Sequence, residues 1–276
     1  MSFFSFVNKK IGKLEECLNC HWLNPLATLY VNFRSFPLSQ AVHLPFWAYG
    51  RPKFYDLSGT MKIIGKVKCG MIKFNKTRPF SPNFSNMNSE LSNKGKIEFS
   101  HELYVGCGTR IVVGNNAVFR VNGGAITDFV NVGCMNEIEL GKRVSIAHRS
   151  QLFDSNYHYI ANISKKEIRT WKKSIKIGDG CWVCNSTIVN GGTILPNYSI
   201  VASGSVVNKN FGDQKDGVMV GGVPAKVISS DSFVRVNNSQ WIKTINEWFC
   251  QGRLCDAFIF EDRVSMEDLN SCNEVG

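Results

Sequence analysis

The chain has no apolar run long enough to cross a bilayer, so no transmembrane helix is expected. Its opening, MSFFSFVNKKIGKLEE, lacks a sustained apolar core and a small-residue cleavage site, so no secretory signal is read there. Histidine is scarce, five in 276 residues, which leaves little material for a three-histidine metal centre. No nucleotide-binding βαβ unit, recognition helix or RNA-binding motif stands out, which argues against a nucleic-acid partner. Acidic residues are the minority: 22 Asp and Glu against 32 Lys and Arg give a net charge of +10. Such a balance favours anionic partners, whether cofactor phosphates, an acidic glycan or an anionic membrane face.

Cysteine is not lacking. There are ten, and without a secretory signal free thiols in a reducing cytoplasm are expected. Cys17-Leu18-Asn19-Cys20-His21 has the letters of a c-type haem site, which the absence of an export signal argues against. A second CxxC, Cys181 with Cys184, falls in a repeat where the two side chains are poorly placed to share a metal. No metal is expected.

That repeat is the strongest signal in the chain. Ile177–Val207 divides into hexads, IGDGCW VCNSTI VNGGTI LPNYSI VASGSV V. The first place is Ile177, Val183, Val189, Leu195, Val201 and Val207; the fifth is Cys181, Thr187, Thr193, Ser199 and Ser205. An aliphatic residue at place one and a small one at place five is neither a helix period nor strand alternation. It is the pattern of a parallel β-helix, with three short runs per coil and coils stacked at the inter-strand spacing. The register recurs earlier at Leu140, Ile146 and Leu152, with Val144 and Ser150 at place five.

These residues, with IGDGCWV at Ile177–Val183, ASGSVV at Ala202–Val207 and GGVPAKVI at Gly221–Ile228, resemble the hexapeptide-repeat acyltransferases. The likeness is to the maltose and galactoside acetyltransferase branch and its bacterial polysaccharide O-acetyltransferase relatives. It implies an all-β solenoid, a left-handed parallel β-helix, and a homotrimer with coenzyme A in the groove between two β-helices. The left hand comes from the resemblance and not from the period.

Three regions are expected. Residues 1–58 form an N-terminal extension. In it, residues 1–25 are amphipathic at helical spacing (Phe4, Val7, Ile11, Leu14, Leu18), with core packing or peripheral membrane contact as the two readings. Residues 25–56, rich in proline and aromatics, read as an irregular lead-in. The β-helix occupies 59–229, with excursions at 75–94 and 153–174, and residues 230–276 form a helical extension suited to capping the open end.

A β-helix is a scaffold, so chemistry is sought where the chain leaves it. His158 lies in Phe-Asp-Ser-Asn-Tyr-His, where the repeat breaks, and resembles the segment that supplies the family's catalytic histidine. A neutral imidazole can take the proton of a sugar hydroxyl as it attacks a thioester. Asp154 is a candidate to hold the imidazole tautomer. The resemblance places an oxyanion donor at the backbone N–H of Asn185 and the coenzyme at Trp182, Asn185, Ser203, Gly204, Asn208, Lys209 and Lys226. Lys165, Lys166, Arg169, Lys172 and Lys173 flank Trp171 and could guide an anionic acceptor or the cofactor phosphates; His148 is a further candidate for the acceptor site.

The reading is therefore an acetyl-CoA-dependent O-acetyltransferase acting on a sugar of a surface polysaccharide or its precursor, free or lipid-linked, at the cytoplasmic side. A sugar-amine N-acetyltransferase, a β-helix hydratase with three histidine ligands and a non-catalytic trimeric scaffold are the alternatives.

Overall fold

The computed structural model describes residues 22–77, 87–253 and 256–271. The amphipathic reading of the first residues and the Cys17–His21 match lie outside them, apart from Trp22 onwards. Short strands form three sheets of nine, seven and six strands, and pairing between successive coils is parallel throughout the stack. The first face runs from Phe46–Ala48 to Met219–Gly222, with Ala225–Ser229 folding back antiparallel on its last strand; the second from Lys53–Asp56 to Val206–Val207; the third from Thr60–Ile63 to Ile194–Leu195. The chain visits the faces in that order and repeats.

The hexads explain the stacking. Ile177 pairs with Leu195, Val183 with Val201 and Val189 with Val207, each three hexads apart, so every place-one residue stands over another on the same face. All six are essentially solvent-free and form one continuous core. Place five is also buried, and its chemistry is more specific than size. Thr193 Oγ1 donates to the Asn190 carbonyl (2.7 Å), Ser199 Oγ to Pro196 (2.7 Å) and Ser205 Oγ to Ala202 (2.6 Å), in each case three residues back at the corner. The hydroxyl thus satisfies a carbonyl that the tight corner removes from the ladder.

The N-terminal region departs from expectation. Pairing begins at Phe46 with Ile72, so the stack starts before Gly59. Residues 25–56 are not irregular: they hold helix α1 (Pro25–Ser35), a short helix α2 (Leu38–Ala41) and two strands of the first coil. Proline misled here because Pro25 sits at the first helical position, where no N–H is needed, behind an Asn24 cap that accepts from Ala27 N at 3.0 Å. The excursion read at 75–94 is shorter too, since Glu90–Asn93 is a strand of the second face.

These helices close the open end of the solenoid. An end coil exposes backbone groups with no next coil to pair with. Asn32 donates to the Phe46 carbonyl (2.7 Å) and accepts from its N–H (3.2 Å); Thr28 Oγ1 accepts from Ala48 N (3.0 Å); the Gln40 amide does both for Ile63 at 2.8 Å. Side chains therefore stand in for the missing strands. Thr28→Val, which keeps the shape and leaves the Ala48 N–H unpaired, is expected to cost about 1–3 kcal/mol, read as a lowered denaturation midpoint.

The C-terminal extension was expected over the other end; it runs along the side instead. Arg143 reaches Glu267 (2.6 Å) and Asn270 (3.1 Å), Tyr198 donates to Glu267 (2.7 Å), Phe233 N donates to Gly217 O (2.9 Å), and the Arg235 guanidinium lies 6.0 Å over the Trp182 ring. These contacts span the later coils lengthwise. Helix α3 (Ser239–Phe249) buries no residue against the stack, and helix α4 (Met266–Asn270), with its Ser265–Asp268 capping box, carries the docking carboxylate.

Candidate active site

In the fifth coil the corner between the second and third faces opens. The chain leaves after Gln151–Phe153 and returns at Ile175, and between them Ala161–Asn162 and Glu167–Ile168 pair as an antiparallel ribbon. A neck fixes the excursion: Lys173 N donates to Asp154 O (2.7 Å), Asn156 N to Trp171 O (3.1 Å), and Ser155 bridges to Lys172. Gly191 of the next coil passes directly beneath, where a Cβ would lie 2.8 Å from both the Asp154 and the Lys173 carbonyl, so only glycine fits.

The excursion has its own aromatic cluster. Trp171 stacks on Tyr157 and meets Tyr159 edge-on, each at 6.3 Å, and Tyr157 in turn meets Phe153 at 6.3 Å. Tyr157 is held at φ 60°, a costly conformation for an aromatic residue, immediately before His158. With its amide oriented to satisfy the surrounding carbonyls, the Asn156 side-chain nitrogen donates to Trp171 O (3.1 Å) and His158 O (2.8 Å), which ties the backbone of His158 to the neck. The His158 ring itself is exposed and opens onto a cavity of about 630 Å³. Trp171, Lys165, Arg169, Lys173 and, from the next coil, Asn190 share its lining. Glu167 neutralises Arg169 at 3.0 Å, whereas Lys165 and Lys173 have no ion pair among the described residues. Sequence reasoning singled out His158, Asp154, Trp171 and the cations of this lining and missed Asn156, Asn162 and Asn190, which carry no motif.

The Asp154 carboxylate is engaged by the backbone of the preceding coil. It is solvent-free and accepts from the backbone N–H groups of Met135 and Asn136, both at 2.7 Å. No hydrogen bond joins it to the imidazole among the described residues. Burial pushes its pKa up against the opposing pull of these amides. Related corner locks recur: Asp128 accepts from Cys107 N and Asp179 from Lys142 N. The buried Cys134 thiol beside Asp154 is likewise pushed up, chiefly by burial, which makes it inert.

The coenzyme candidates fall on two edges. Asn185, Ser203 and Gly204 meet at the corner between the first and second faces: Ser203 Oγ donates to Asn185 Oδ1 (2.7 Å) and Gly204 N to Asn185 O (3.1 Å). The Asn185 N–H has no acceptor among the described residues. His148 lies on this same edge, its carbonyl accepting from Ser186 N at 3.0 Å, and so lies apart from the His158 cavity. Trp182 is half-buried on the first face under Arg235. Asn208 and Lys209 are exposed on the edge that carries the His158 excursion, with Lys209 Nζ 5.2 Å over the Phe211 ring, and Lys226 is exposed on the returning strand. Within one chain, then, His158 and Asn185 are not brought together. Among the described residues no cluster of His, Cys, Asp or Glu could hold a metal ion, and no helix is long and apolar enough to cross a membrane.

Half of the chain aligns with the putative lipopolysaccharide biosynthesis O-acetyl transferase WbbJ of Escherichia coli K12, at 26% identity over 147 residues and 74% of that protein. The chain is thus similar to bacterial O-acetyltransferases over its repeat region. Its fold is a parallel β-helix. A second relative, the galactoside O-acetyltransferase of the same organism, is 25% identical over 126 residues, covering 46% of this chain and 57% of its own length. Among solved structures, the polysialic acid O-acetyltransferase OatWY superposes with a TM-score of 0.46 at 16% identity, covering 71% of this chain and 99% of that one. No family model matches the sequence.

Proposed function

We propose that the protein transfers the acetyl group of acetyl-CoA to a sugar hydroxyl of a bacterial surface polysaccharide, capsule or O-antigen, or of its precursor. The observation that carries this reading is the exposed His158 ring on a cation- and aromatic-lined cavity at a corner where the repeat opens. His158 accepts the proton of the acceptor hydroxyl as that oxygen attacks the thioester carbonyl, and the bond to sulfur breaks to release CoA. The Asn185 N–H, which has no acceptor among the described residues, is a donor for the oxygen that gains charge during attack. Trp171 offers a flat apolar surface to a pyranose ring, and Lys165 and Lys173 suit an acidic acceptor.

Because His158 and Asn185 stand on different edges, the reading requires more than one copy. In a homotrimer of parallel prisms, one protomer's His158 edge faces the Asn185, Ser203 and Gly204 edge of its neighbour, with the coenzyme along the groove between them. Light scattering of the purified protein tests the assembly: a stable monomer that still turns over would defeat it.

Thiol release from acetyl-CoA in the presence of polysaccharide or oligosaccharide acceptors tests the activity, and mild base separates the products, since esters cleave and amides persist. Lys209 is assigned to the coenzyme phosphates. Lys209→Glu is expected to weaken acetyl-CoA binding about tenfold by calorimetry, with less effect at high salt. Equal affinity of the two proteins would remove Lys209 from the groove.

A further inference from the structure

Helix α1 is amphipathic in the reverse sense. Its inner face, Thr28, Val31, Asn32 and Ser35, is buried and mostly polar, because it serves the open backbone of the first coil. The outer face, at the i, i+3, i+4, i+7 spacing of one helix stripe, is Leu26, Leu29, Tyr30 and Phe33, which are 79%, 44%, 54% and 52% exposed. Trp22 before it and Leu38 and Val42 after it extend the apolar surface, at 65%, 69% and 56% exposed. A large apolar patch on one outward stripe marks a surface made to be covered.

The chain segment that carries that stripe is charged mostly with one sign, although Lys53 and Lys68 pair with Glu90 and Glu102. Between Trp22 and Thr77 there are eight lysines and arginines against a single carboxylate, Asp56, so this first part of the described chain carries most of the net +10. Arg34, Lys62 and Lys66 are exposed at this end of the prism, and none of the three has an ion pair among the described residues. An outward apolar stripe with Trp and Tyr, set among unneutralised cations, matches the needs of the boundary between lipid headgroups and acyl chains. A second copy of this chain matches less well, since two such ends face to face set like charges together. A nucleic acid would use the cations and leave the leucines in water.

We infer that the N-terminal cap of the prism docks on an anionic lipid surface through Leu26, Leu29, Tyr30 and Phe33, with the surrounding lysines and arginines on the lipid phosphates. Docking by the end cap stands the prism on the surface. The His158 excursion leaves the fifth coil, four steps up, so it is held about 20 Å above the headgroups at the usual coil spacing. The inference rests on the cap alone and holds whatever the chemistry of the His158 cavity.

Flotation of the full chain with vesicles tests it, using phosphatidylcholine alone and phosphatidylcholine mixed with phosphatidylglycerol. The expected result is flotation with the mixed vesicles, weakened by salt, and little with the neutral ones. Leu26→Glu with Phe33→Glu changes only outward side chains and is expected to weaken binding more than about tenfold. Lys62→Glu with Lys66→Glu is expected to do the same through charge, at about fivefold or more per residue, and serves also if the first pair fails to fold by circular dichroism. Absence of wild-type flotation overturns the inference, as does wild-type binding by both variants. So does a lower molar mass of the Leu26→Glu, Phe33→Glu protein in light scattering, which would make the face a contact between copies.

Discussion

Replacing His158 with alanine lowers acetyl transfer by about 10²–10⁴-fold and leaves the unfolding curve unchanged. Both halves of that outcome follow from where the residue sits. The ring is exposed, bounds the cavity, and makes no side-chain hydrogen bond among the described residues, so its loss opens no void in the core. The sugar hydroxyl that must attack is a poor nucleophile at neutral pH, so removing the base removes the step that makes attack possible. The fall should appear in kcat, with the affinity for acetyl-CoA by calorimetry unchanged, because the proposed coenzyme edge is built from other residues. Full turnover by His158→Ala would sink the assignment of the base. A lost activity accompanied by a lowered melting temperature would mean that the ring holds the excursion together instead of doing chemistry.

The parts of the fold that repeat were legible in the sequence, and the parts that occur once were not. Place one and place five predict the core over Leu140–Leu152 and Ile177–Val207, because stacking forces each coil to reuse the same solution. The place where the chain leaves the stack is equally visible, since Leu152 and Ile177 fall out of hexad phase. The N-terminal cap was hidden by its own logic. Helix α1 turns polar residues inward to satisfy one open coil, so its buried face reads as solvent-exposed and its exposed face as core. Asn24-Pro25, a strong helix start, was outweighed by three further prolines in an aromatic stretch. The C-terminal extension shows its amphipathic period but not its docking partners, because Arg143, Tyr198 and Trp182 lie far away in sequence and are joined only by the coil geometry.

Asp154 marks the limit of reading a catalytic group from adjacency. A carboxylate four residues before a candidate base invites a triad-like role, and the two hypotheses now predict opposite results. If Asp154 oriented the imidazole, Asp154→Ala would lower kcat in a protein of normal stability. The structure instead spends both carboxylate oxygens on the N–H groups of Met135 and Asn136, at the corner of the preceding coil and out of reach of water. Alanine leaves two buried donors unpaired, each worth about 1–3 kcal/mol, so Asp154→Ala is expected to destabilise the protein by about 3–5 kcal/mol in denaturant titration. Asp154→Asn keeps one acceptor oxygen and should fall between alanine and wild type. The neck of the excursion starts at this residue, where Lys173 N bonds the Asp154 carbonyl, so activity is lost as the corner loosens and in proportion to stability. A stable Asp154→Ala protein with little turnover would return Asp154 to the reacting centre; an unstable one whose activity recovers on cooling fixes it as the lock that holds the His158 excursion to its coil.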